Sequence, residues 1–181
     1  MIAAIFNSYL LRLIPVGLAL LALQKTLFDE LRPFGVIIQL VLAFACSAAA
    51  AAGPERGATA GFVLGIMFDL STGAPLGSSS IAFGVAAYIA GWVDLLRVET
   101  TWWLAAGFVG VGSAVGEVLA PVVRRFVGEE NVFNPRLATI VPVVAASGAI
   151  ASVALVPLGR WSLKVAKPEW KGPPEAAVVK A

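Results

Sequence analysis

The amino-acid sequence predicts an all-α, polytopic integral membrane protein of about six transmembrane helices joined by short loops. Three observations carry that expectation. Of 181 residues, 59% are hydrophobic and 13% charged, with a mean hydropathy of +0.89; soluble domains carry about a quarter charged residues. Apolar runs recur at close to the roughly 20 residues that a spanning helix needs. None of them alternates apolar with polar residues, so a membrane β-barrel is excluded and helices remain to satisfy the backbone in lipid.

The elements follow in order. Leu13 to Phe28 is the first expected span, extended back over Ile5 to Leu11 if Arg12 snorkels to the interface. It lacks a small-residue cleavage site before Lys25, so it reads as a retained helix rather than a secretory leader. "LFDELRPFG" is a loop, and Phe34 to Ala52 is the second span, ending in an alanine run before "GPERG". Gly57 to Leu70 is a short third span, Pro75 to Leu95 the fourth, Trp102 to Phe126 the fifth and Leu137 to Leu158 the sixth. Hydropathy reads the number of spans better than their edges.

Six spans, with five or an extra re-entrant segment as the alternative, put both termini on one side. That side receives Arg12, Arg56, Arg97, Arg160, Lys164, Lys167, Lys171 and Lys180; the other receives Lys25, Arg32, Arg124, Arg125 and Arg136. The larger basic set marks the cytoplasm. The chain therefore divides into a transmembrane domain, 1–159, and a basic cytoplasmic tail, 160–181, whose Trp161 and Trp170 either sit at headgroup level or belong to a solvated segment.

Several functions are excluded or left without residues. A net charge of +2, with no basic stripe, gives no footprint for nucleic acid. The single cysteine, Cys46, rules out an intrachain disulfide, and the absence of histidine removes the commonest general base and metal ligand. No serine stands in a nucleophile elbow and no carboxylate pair has catalytic spacing. The sequence thus predicts no catalytic residue, no metal site and no cofactor.

Two acids lie deep in apolar runs, where burying a charge costs at least a few kcal/mol. Asp69, in "GFVLGIMFDLSTGAPLG", is either a proton or cation site or the organiser of its own turn, bonding amides near Pro75 and the glycines. Glu117 precedes Pro121, which frees its carbonyl, and Arg124 lies two turns away; a cation from another helix or a protonated carboxyl is expected. Gly57, Gly61 and Gly65 recur every four residues, as do Gly112 and Gly116, with Gly107 close to the same face. Such spacing lets helices approach closely, either within the fold or against a partner.

The stretch from Arg32 to Trp92 resembles the MreD family of bacterial rod shape-determining proteins. The residues that carry the likeness are Gly61, Phe62, Gly65, Asp69, Leu70, Gly73, Leu76 and Gly77, with Tyr88 and Gly91 downstream. It covers about a third of the chain. One departure is Phe34 after Pro33, where many members have Pro-Asp; a contact made by that acid is either lost here or replaced by Asp29 or Glu30. The resemblance implies a non-enzymatic, multi-pass scaffold of the bacterial inner membrane, within the complex that elongates the cell wall. Its implied partners are MreC, a periplasmic coiled-coil protein with one membrane helix, and, more widely, RodA, a penicillin-binding transpeptidase and MreB. The expected interface or structural residues are Gly61, Gly65, Asp69, Gly73, Pro75, Gly77 and Glu117. The competing expectation is a small-molecule-binding component of a transporter, built on Asp69, Glu117 and the aromatics Trp92, Trp102 and Trp103. A flippase or enzyme for lipid-linked precursors is a third, lesser option.

Overall fold

The computed structural model describes residues 10–27, 35–96, 102–129 and 135–164. Over those residues it is all-α, with six helices: α1 Leu10–Thr26, α2 Leu40–Ala52, α3 Pro54–Thr72, α4 Ser78–Leu95, α5 Trp102–Phe126 and α6 Leu137–Ser162. The segment 28–34, including Asp29, Glu30, Arg32 and the Pro33–Phe34 step, lies outside the described residues, as do Arg97, Trp170 and Lys167, Lys171 and Lys180 of the tail. Three helices, α4, α5 and α6, are long and apolar enough to cross a membrane. The fold is therefore that of an all-α protein suited to a bilayer.

The chain winds α3, α4, α5 and α6 side by side around α2, and α1 closes the ring between α3 and α6. Every residue of α2 except Ala52 is buried. Its alanines explain why: small side chains let five neighbours approach one helix. A Cβ at Gly159 of α6 would fall 2.7 Å from the Ala48 Cα, and one at Gly116 of α5 would fall 2.7 Å from Leu42. Thirteen residues make a helix of about 20 Å, shorter than the roughly 30 Å hydrocarbon layer. Protein, not lipid, is the solvent of α2.

The helices alternate in direction. Arg12 of α1 stacks on Trp161 of α6, 5.3 Å from the ring centroid, and a Cβ at Gly91 of α4 would meet Pro54 of α3. That end carries Arg12, Arg56 and Arg160. Lys25, Arg124, Arg125 and Arg136 belong to the opposite helix ends; Arg32, Arg97, Lys167, Lys171 and Lys180 of the two expected groups lie outside the described residues.

Element edges depart from expectation at four places. The second helix starts at Leu40, not Phe34, because Gly35 turns the chain at φ +76° and residues 36–39 run non-helically. The third helix starts at Pro54, not Gly57: Gly53, at φ +86°, is the sole residue between α2 and α3. Pro54 at the first position suits a helix start, and Glu55 faces the positive end of the dipole. Pro75 lies in the α3–α4 turn rather than in α4. In addition, α6 runs through Ser162, past residue 159, so Arg160 and Trp161 belong to its last turn.

Irregular backbone at 36–39 must find partners inside the protein. Gln24 of α1, itself buried, does so by accepting a 3.0 Å hydrogen bond from the Val41 amide in the open first turn of α2. Ser47 is the opposite case: fully buried in α2, its hydroxyl has no partner. Such a group carries an uncompensated desolvation cost. Ser47→Ala is therefore expected to stabilise the chain by about 1 kcal/mol, read as a higher melting temperature in detergent; a lower one would mean that the hydroxyl is satisfied in the membrane-embedded protein.

Candidate functional site

Most of the residues singled out by sequence, Glu117 excepted, converge on the α3–α4 packing and its corner. α3 ends where Ser71 and Thr72 turn their hydroxyls back onto the Phe68 carbonyl, at 2.8 and 2.9 Å. Gly73 then takes the left-handed conformation (φ +69°) that closes a helix C-terminus, and Pro75 directs the chain through the turn. Gly77 precedes α4 at φ +98° and, lacking a side chain, offers no cap of its own.

Asp69 supplies that cap from across the turn. Its carboxylate is wholly buried. It accepts the Gly77 amide at 2.9 Å, and the Ser79 amide at 3.1 and 3.2 Å on its two oxygens. The hydroxyls of Ser78 and Ser80 lie within 3.3 and 3.5 Å. A carboxylate here meets the free N–H groups and positive dipole end of α4, which together stabilise the charge without a cation. The arrangement matches the turn-organising reading of Asp69, with both carboxylate oxygens accepting from the start of α4. The sequence shows the acid and the serine run separately; their meeting requires the two helices to pack.

Gly61 and Gly65 make that packing possible. A Cβ at Gly61 would stand 2.5 Å from the Phe83 carbonyl oxygen, and one at Gly65 would overlap the Ser80 backbone. Phe68 and Phe83 stack nearer the corner with centroids 5.4 Å apart. The apolar residues of the same motif point elsewhere: Phe62, Leu70 and Leu76 are 46%, 67% and 68% exposed. Gly112 and Gly116 pack against α4 and α2, whereas the space beside Gly107 is open, so Gly107 is not part of their seam.

Glu117 stands apart from this corner, half-buried on α5. Among the described residues the cation acting on it is Arg124 of its own helix, so of the two expectations the one of a cation from another helix is not met. Seven residues complete about two turns, so the two share a side and the long arginine can lean back. No hydrogen-bonded pair results, and the Arg124 Nε remains buried without a partner.

A second feature escaped sequence reasoning altogether. Gln24, Lys25, Ile37, Gln39, Phe68 and Thr72 line a cavity of about 110 Å³ where α1, α3 and the segment before α2 meet. The Gln39 Oε1 in its wall has no hydrogen-bond partner. Glutamines near the ends of apolar runs are the only trace of it in the sequence. Among the described residues, no cluster of three or more histidines, cysteines or acids could hold a metal.

No family model, curated protein or solved structure matches this chain.

Proposed function

We propose that the chain is a non-enzymatic scaffold of the bacterial inner membrane, a relative of the MreD proteins that binds MreC within the cell-elongation complex, with both termini in the cytoplasm. The observation that supports this reading is the division of labour within the motif. Its glycines and Asp69 are consumed in building the α3–α4 corner, while Phe62, Leu70 and Leu76 remain on the outside. A corner presenting apolar side chains is what a helix-binding scaffold needs, and the Asp69 carboxylate is engaged by the amides and hydroxyls at the start of α4. RodA, the transpeptidase and MreB belong to the same proposed assembly through MreC.

The test is co-purification of tagged chain with MreC in mild detergent. Wild type is expected to retain MreC, and the double variant Leu70→Ala/Leu76→Ala to lose at least tenfold of it at an unchanged melting temperature. If wild type holds no MreC, the scaffold reading fails; if the folded double variant holds it normally, the corner is not the contact.

A second reading, a small-molecule-binding transporter component, draws support from the cavity lined by Gln24, Lys25 and Gln39. A tightly held small ligand or an ATPase pair recovered in place of MreC would favour it.

A further inference from the structure

At the end of the bundle that carries Arg12, Arg56 and Arg160, α5 and α6 enclose a cleft of about 200 Å³. Trp102 and Ala105 form its α5 wall, Ser152, Val153, Val156, Pro157 and Arg160 its α6 wall, and Ala50 of α2 also lines it. Four of the five α6 positions, Val153, Val156, Pro157 and Arg160, recur at helical spacing and so form one stripe, apolar for one turn and then cationic. Pro157 has no N–H, which leaves the Val153 carbonyl in that stripe without its helical donor.

Charge at this end is unbalanced. Among the described residues it holds Arg12, Arg56, Arg160 and Lys164 against Glu55 and Asp94. The Arg12 guanidinium lies over Trp161, whereas exposed Arg160 has no acid or ring of a described residue upon it. Trp102, Trp103 and Trp161 are all largely exposed around it, as rings at headgroup level are.

We propose that this cleft binds one anionic phospholipid. Its phosphate sits on the Arg160 guanidinium, which can engage two phosphate oxygens at once. Part of one acyl chain lies along Trp102, Ala105, Val153 and Val156. The apolar walls favour a lipid over free phosphate. A partner's helix, about 10 Å across, is too wide for this volume, whereas a single hydrocarbon chain is not. The inference requires the chain to lie in a bilayer and nothing of the scaffold reading.

Native mass spectrometry of the full chain, exchanged into detergent with dioleoyl phosphatidylglycerol or dioleoyl phosphatidylcholine, tests it. One phosphatidylglycerol is expected to remain bound at least tenfold more tightly than phosphatidylcholine. Arg160→Ala should weaken it tenfold or more, and Arg160→Lys less. Ala105→Trp, which fills the cleft and keeps the charge, should also release it, while Arg56→Ala, at the same end but outside the cleft, should change it less than twofold. Melting curves and circular dichroism identify variants that are folded. Equal retention of the two lipids, an Arg56→Ala loss as large as that of Arg160→Ala, or full retention by folded Ala105→Trp would each overturn the site. The first denies headgroup selection, the second reduces it to diffuse surface charge, and the third removes the acyl chain from the cleft. Displacement by millimolar inorganic phosphate at constant ionic strength would overturn it too, since the lipid chain would then contribute nothing.

Discussion

Asp69→Ala is expected to cost about 3 kcal/mol of stability, the sum of one charge-assisted set of hydrogen bonds and the exposure of amides with no other partner. The Gly77 and Ser79 amides lose their acceptor at a buried helix start. Neither Gly77 nor the turn can offer a replacement, and Ser78 and Ser80 are already folded inward. Asp69→Asn keeps one acceptor oxygen and removes the charge that opposes the α4 dipole, so about half of that loss is expected. Thermal unfolding in detergent, followed by the loss of the monodisperse size-exclusion peak, measures both. A drop of less than 1 kcal/mol for alanine would mean that water satisfies this corner and that the carboxylate is not its organiser. Glu117→Gln makes a useful contrast, because no helix cap depends on it.

Gly61→Leu should be more damaging than any conservative change at the exposed motif positions. Its Cβ alone would press on the Phe83 carbonyl at 2.5 Å and on Ala87 at 2.8 Å, and backbone cannot rotate aside as a side chain can. The two helices must separate, with a cost of about 3 kcal/mol or more, at the upper end of what overpacking inflicts. Gly61→Ala should lie between wild type and leucine. Gly107→Ala is the matched control: nothing stands within 4 Å of the added methyl, and alanine is the better helix former by about 1 kcal/mol. It should leave the protein unchanged or slightly more stable. If Gly61→Ala and Gly107→Ala behave alike, close approach of α3 to α4 is not what these glycines provide.

The same two sites show how far the sequence reaches. Spans are legible because lipid demands long apolar runs, and α5 was expected from Trp102 to Phe126 with the bounds observed. Edges set by one residue's dihedral were not: nothing in "PFGVIIQL" distinguishes a helical from a broken start, and Gly35 at φ +76° decides it. Asp69 could be placed in its turn from its neighbours, since an acid before Ser, Thr and Gly has local amides to find. Its actual donors lie eight and ten residues on, in the next helix, and only packing brings them near. The glycine repeats indicated close contact without naming the partner, so Gly107 was grouped with Gly112 and Gly116 although open space surrounds it. The Gln24–Val41 bond, spanning seventeen residues, leaves no pattern at all.

The one-residue corner at Gly53 bears on how the protein is made. A helix of thirteen residues is too short to be halted in the bilayer by its own hydrophobicity, and no loop separates it from α3. The two are therefore expected to enter the bilayer together as a hairpin, with α2 enclosed only once α5 and α6 have packed on it. Nascent chains truncated after residue 96 should leave Cys46 open to a membrane-permeant maleimide, and chains completed through α6 should protect it. Protection already present in the shorter chain would show that α2 finds its shelter without the C-terminal helices.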